Sequence, residues 1–206
     1  MSSLKDTIPF NKDHLSLGVV FVCIVALLLL PSGWVESPTV TEEPAPEEVI
    51  VDNANTQVVS APNTIRVPKM DLVAPFGDTL GLRANGEVEV PTDFETVGWY
   101  EHSPKPGELG PAVVLGHVDS REGPSVFYSL GQLVPGDSIY ITDETGVERT
   151  FVVESSELYE QRAFPTESVY GDIDHAGLRL ITCSGWYSRD EERYSHNRIV
   201  FARLIE

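Results

Sequence analysis

Two residues in this chain have side chains suited to covalent chemistry, and both stand at the ends of apolar runs. His117 closes "VVLGHVDS", residues 113–120, and Cys183 closes the apolar part of "LRLITCSG", residues 178–185. Each has a bland reading when taken alone. A strand that buries Val113, Val114 and Leu115 can carry His117 into a core, onto a metal or to a catalytic rim, and a lone thiol is more often inert and buried than reactive. Together the two fit acyl transfer. A thiolate is a strong nucleophile, a histidine can hand a proton to a departing amine, and a cation or backbone donor can steady the oxyanion. A metal held by His117 and Asp119 would need a third ligand that the sequence does not offer. Asp119 either orients His117 or caps the following turn with Ser120.

The elements that must position these residues are short. From Ile65 onward, alternating or apolar runs are cut by Gly, Pro and Asp, the pattern of an all-β domain. Strands are expected at "TIRVP", "GEVEVP", "PAVVLGHV", "DSIYIT", "ERTFVVESS", "LRLITCS" and "NRIVFARLIE", with "DETG" at 143–146 as a hairpin turn. Val126, Phe127, Leu130 and Leu133 fall near helical spacing, which predicts a short helix in "PSVFYSLGQL". On the strand before Cys183, Arg179 and Ile181 share its face, while Leu178, Leu180 and Thr182 share the other. The expected architecture is a closed β-barrel with short helices in its connections. Trp99, Tyr100, Trp186 and Tyr187 are either groove-lining or core aromatics. Asp172 and Asp174 read as turn residues, since a calcium cage needs six or more oxygens.

Ahead of that domain, residues 15–35 contain no charged residue, and 21 residues at 1.5 Å each span about 31 Å, the thickness of a bilayer core. This predicts a transmembrane helix, with a cleaved signal peptide as the alternative. Lys5 and Lys12 precede it and no base follows until Arg66, so residues 1–14 are expected in the cytoplasm and the rest outside. Residues 36–63 read as an acidic, Pro-rich stalk. The chain has 206 residues, 32 acidic against 14 basic, and a formal net charge of -18, which argues against a nucleic-acid partner. Of its two cysteines, Cys23 lies inside the apolar segment. The extracellular domain therefore keeps a single free thiol, which such a domain normally pairs or avoids.

Five segments in order, "RVPKMDLVAPFGDTLGLRANGEVEVP", "VGWYEHSPKPGELGPAVVLGHVDS", "GPSVFYSLGQLVPGDSIYI", "LRLITCSG" and "NRIVFARL", resemble the sortases, membrane-anchored cysteine transpeptidases of bacterial surfaces, and among them class F. The resemblance covers residues 64–206. It implies a sortase-type closed eight-stranded β-barrel, cleavage of an LPxTG-type sorting signal through a Cys thioester, and transfer of the acyl group to a cell-wall or pilin amine. The implied partners are LPxTG-type surface proteins or pilins and an amine acceptor from a cell-wall precursor; no cofactor or metal is implied. Carried over residue by residue, His117 matches the family histidine and Cys183 the nucleophile. The family arginine stands at the start of the last strand, where the register gives Asn197 with Arg198 beside it. Arg198 is the candidate, provided a bulge turns it inward, and Arg189 and Arg193 are the alternatives. Two rival readings use the same residues: a hydrolytic cysteine peptidase, and a surface-anchored binding module in which Cys183 is inert.

Overall fold

A computed structural model describes residues 58–205. Its strands are β1 (Pro62–Val67), β2 (Leu72–Leu80), β3 (Val97–Tyr100), β4 (Gly110–Leu115), β5 (Ser138–Asp143), β6 (Glu148–Glu160), β7 (Ala176–Ser188) and β8 (Arg193–Leu204). A five-residue helix, α1 (Thr166–Tyr170), lies in the connection between β6 and β7. The strands close into a barrel in the order β1-β2-β3-β4-β7-β8-β6-β5, and β5 pairs back onto β1. Two neighbouring pairs, β2 with β3 and β4 with β7, run parallel, and the others are antiparallel.

Alternation decides which side chains go inside. Leu178 and Leu180 of β7 face Ala202 and Val200 of β8 across the ladder, and all four join the core cluster that fills the barrel. The intervening residues Ile181 and Ile199 also pair, but they belong to a second cluster with Val113 and Val169, packed outside the wall beneath α1. Period-2 side-chain placement thus gives this part of the barrel an inner core and an outer one.

The eight-stranded all-β barrel matches the expectation, with local differences. "GEVEVP" forms no strand, only one bridge between Leu82 and Val88. Its alternating side chains stay largely exposed, and the Glu89 carboxylate is used locally, accepting from the backbone N–H of Gly81 at 2.9 Å. "PSVFYSLGQL" is a run of turns ending in a 3-10 turn at Leu130–Gln132, not an α-helix. Its helical spacing did mark a buried face, since Val126, Phe127, Leu130 and Leu133 all plug the barrel core. Conversely, β2 and β3 form where no strand was expected: β2 carries Pro75 and Gly77, and β3 spans only four residues. The expected transmembrane helix at 15–35, and most of the stalk, lie outside the described residues. Among the described residues no helix is long and apolar enough to cross a membrane.

The β5–β6 hairpin turns on a buried ion pair. Arg149 Nη1 donates to Asp143 Oδ2 at 2.8 Å, and the other carboxylate oxygen accepts from the hydroxyl and backbone N–H of Thr145 and the N–H of Val147. The pair is almost fully enclosed, with side chains 9% and 3% exposed. Gly107 makes room for it, because a Cβ there would collide with the Arg149 side chain. Burial pushes the Asp143 carboxyl up, but the hydrogen bonds from Thr145, Arg149 and Val147 outweigh it and hold the group well below the usual carboxylate range. The depressed value means that this carboxylate stabilises the fold above its unfolded pKa, and the contribution is lost as pH falls through the folded value. Arg149→Ala leaves the charge buried without its partner, and urea unfolding at neutral pH should show a loss of about 3 kcal/mol. The same variant should show a smaller further loss of stability than the wild type during acid titration, because without Arg149 its carboxyl is less depressed in the folded state.

Candidate active site

The parallel pairing of β4 with β7 keeps one register throughout, from Gly110 opposite Ala176 to Leu115 opposite Ile181. Two further bonds extend it past the end of β4. Gly116 N–H donates to the Ile181 carbonyl at 3.1 Å, and Thr182 Oγ1 donates to the Gly116 carbonyl at 2.7 Å across a sequence separation of 66. One more residue in the same register sets His117 level with Cys183. Gly116 is required at the last step: a Cβ there would lie 2.6 Å from Phe127 Cδ2 and 2.8 Å from Val126 Cγ1, both part of the barrel plug. The close approach is therefore to the core, not to a substrate.

His117 and Cys183 line the same cavity, of about 1110 Å³, together with Tyr100, Leu115, Ile181 and Asn197. His117 is half-buried; its Nε2 lies 2.8 Å from the Pro91 carbonyl, and Phe94 packs on the ring with centroids 4.4 Å apart. In the neutral ring this bond assigns the proton to Nε2 and leaves Nδ1 as the acceptor. Cys183 is a half-buried free thiol. Burial pushes its pKa up, and the nearby Asp119 carboxylate pushes it further in the same direction. The resting group is thus the thiol, and to act as a nucleophile it would need help with its ionisation.

Asp119 takes neither of the expected roles. Its Oδ2 accepts a hydrogen bond from the Tyr194 hydroxyl of β8. The adjacent turn is closed by Ser120, whose N–H donates to the Gly123 carbonyl at 2.8 Å and whose Oγ accepts from the N–H of Glu122 at 3.1 Å. Burial and the Asp119 contact push the Tyr194 phenol far up, so it remains a donor at any physiological pH. Nothing in the local sequence around Asp119 points to Tyr194, since the two are 75 residues apart.

The arginines separate cleanly. β8 is regular here: Asn197 pairs with Cys183, and Arg198 pairs with Thr182 on the opposite, barrel-facing side. No bulge turns Arg198 toward Cys183; the irregularity between β7 and β8 falls between Ser184 and Tyr187. Arg198 Nη1 donates to the Ser156 carbonyl at 3.3 Å, and its guanidinium lies beside Gly131. Arg189 sits in the exposed turn between β7 and β8, away from the cavity lining. Arg193 does reach the lining, but both its Nε and its Nη2 are engaged by Glu191, at 2.9 and 2.8 Å. Arg83, not anticipated as a site residue, also lines the cavity. Of the aromatics, Tyr100 lines the cavity and stacks edge-on against Tyr170, Trp99 donates to the Pro104 carbonyl, and Trp186 is 69% exposed on the β7–β8 extension.

The family model described as the sortase domain matches residues 65–205. Solved structures with a similar fold include sortase A from Corynebacterium diphtheriae, at 21% identity and TM-score 0.55, covering 73% of this chain and 63% of that one. Sortase C-1 from Actinomyces oris matches at 21% identity and TM-score 0.54, covering 69% and 73% of the two chains. Sortase C1 of GBS Pilus Island 1 matches at 18% identity and TM-score 0.53, covering 70% and 65%. The chain therefore spans less than two thirds of the first and third of these. No curated protein matches it.

The Asp119 carboxylate beside the thiol makes a measurable statement about ionisation. Removing its negative charge favours the thiolate, so Asp119→Asn should move the pH midpoint of Cys183 alkylation by iodoacetamide downward. An unmoved midpoint would show that burial alone sets the thiol.

Proposed function

The chain belongs to the sortase family, and on that premise we propose that it cleaves an LPxTG-type sorting signal through a thioester on Cys183 and passes the acyl group to an amine. The observation that supports this most directly is the shared register of β4 and β7, by which His117, just past the end of β4, and a free thiol within β7 come to one cavity. The Cys183 thiol passes its proton to the neutral His117 imidazole, and the resulting thiolate attacks the carbonyl carbon of the scissile Thr–Gly bond, forming a C–S bond as the carbonyl electron pair moves onto oxygen. Collapse of that intermediate breaks the C–N bond, and the departing amine takes its proton from the His117 imidazolium. The incoming amine then attacks the thioester and gives up a proton to the now neutral His117, and the C–S bond breaks as the Cys183 thiolate leaves. In this reading His117 has to give up its bond to the Pro91 carbonyl, or turn its other nitrogen inward, to reach the leaving group.

The cavity suits such a peptide. Leu82, Val88, Val90 and Leu109 give it an apolar stretch for a Leu-Pro end, while Tyr100 and Leu115 flank the reacting residues. The amine acceptor is read as a cell-wall precursor or a pilin lysine; the fold neighbour named for a pilus island lends the pilin its support. The class F reading rests on the resemblance of the five ordered segments across residues 64–206. We place the catalytic domain outside the cell, on a single-pass anchor at residues 15–35, because that segment is uncharged and Lys5 and Lys12 precede it while no base follows until Arg66.

A peptide-library screen on the full chain, followed by mass spectrometry, tests the reading. A Thr–Gly cleavage product and a Cys183 acyl-enzyme should appear, and a transfer product should form when a Gly- or Lys-based amine is supplied. Cys183→Ala should abolish all three, and His117→Ala should slow cleavage by roughly 10²- to 10⁴-fold. Turnover retained in Cys183→Ala would sink the assignment, and cleavage without transfer would turn it into a peptidase.

A further inference from the structure

Thioester formation on Cys183 creates a negative oxygen within a few ångströms of the sulfur, and some donor has to face it. The arginines do not supply a free one on the Cys183 ladder: Arg198 points into the barrel end, Arg189 lies in the exposed turn, Arg193 is tied to Glu191, and Arg83 lines the cavity from the connection between β2 and β3. The residue directly across the ladder from Cys183 is Asn197, and it lines the same cavity. Cross-strand partners in an antiparallel pair share a face, so the two side chains emerge side by side.

The orientation of that side chain is also determined. Gln161 Nε2 donates to Asn197 Oδ1 at 3.3 Å, which occupies the amide oxygen. A primary amide held through its oxygen presents its two N–H donors in the other direction. Among the described residues no acceptor takes them. Asn197 is half-buried, so the donors are neither sealed in the core nor lost to bulk water.

We propose that the Asn197 side-chain amide is the oxyanion donor of this enzyme, an uncharged one, held in place by Gln161. The inference rests on the acyl-transfer reading above. It makes Asn197 a catalytic residue, since its N–H touches the reacting oxygen, and Gln161 a positioning residue. Because the donor carries no charge, it stabilises the intermediate without drawing the resting thiol toward thiolate. Its contribution belongs to acyl transfer and not to thiol ionisation.

That distinction supplies the test, made on the full chain with two probes of Cys183. p-Nitrophenyl acetate acylates the thiol through a tetrahedral oxyanion, whereas iodoacetamide alkylates it by displacing iodide at carbon, with no oxyanion. Asn197→Ala, and Asn197→Leu as a variant of closer volume, should slow acylation on the order of 10²-fold while leaving alkylation within twofold of wild type. Gln161→Ala should slow acylation less, about tenfold, again without changing alkylation. Acylation within twofold of wild type in both Asn197 variants overturns the proposal, and so does a parallel fall in both reactions, which would mean that the thiol itself had changed. Failure of the wild type to acylate Cys183 at all would instead remove the acyl-transfer reading.

Discussion

The parallel pairing of β4 with β7 is the constraint on which the site depends. Parallel neighbours cannot be joined by a tight turn, and here the crossover from Gly116 to His175 contains β5, β6 and α1. The length has a chemical result. Parallel strands run toward the same side of the sheet, so His117, two residues past β4, and Cys183 of β7 emerge at one rim. β8 then pairs antiparallel with β7 and adds Asn197 and Tyr194 to that rim. A one-residue slip in the β4–β7 register would turn Cys183 into the barrel and Thr182 out of it. The Thr182 hydroxyl resists this slip, because its bond to the Gly116 carbonyl exists only in the observed register.

The barrel holds that register by burial on both sides of its wall. Leu178 and Leu180 face inward while Ile181 faces the outer cluster beneath α1, so neither face of β7 tolerates the other's residues. Thr182 is the transition: buried, polar, and satisfied by a single backbone carbonyl. Beyond it β7 and β8 leave the barrel as an exposed ribbon bearing Trp186 and Tyr187. Cys183 sits where the double-sided burial ends, which makes it accessible while its backbone remains part of a rigid ladder.

Much of this was legible in the residues. The alternation in "DSIYIT" and "ERTFVVESS" and the apolar runs before His117 and Cys183 are strands because their side chains have a face to bury. Where the pattern misled, the partner was missing: Glu87 to Val90 alternate, but no neighbouring strand pairs along them beyond the Leu82–Val88 bridge. Where it stayed silent, as in β2, the strand is held by its neighbours on both sides, and Pro75 and Gly77 conceal it. For the site, residue type singled out His117 and Cys183, which line one cavity. It did not identify Tyr194 as the partner of Asp119 or Pro91 as the partner of His117, because both contacts are made by segments distant in sequence. The facing of Asn197 and Arg198 followed from strand parity, but only a strand shown to be free of a bulge at that point decides between them.

That parity gives the site its electrostatic character. Asp119 lies close enough to Cys183 to raise its thiol, and it is held there by a neutral phenol. A guanidinium at position 197, across the ladder from Cys183, would be drawn toward the Asp119 carboxylate at rest, and part of that attraction would be given up when the oxyanion forms. An amide has no such stake in Asp119. With Tyr194 satisfying the carboxylate and Gln161 satisfying the amide oxygen, the negative charge that forms on the substrate meets a donor already oriented and not otherwise engaged. Preorganisation of this kind offsets part of what the missing charge would have contributed, since a donor that need not move costs no reorganisation when the oxyanion appears.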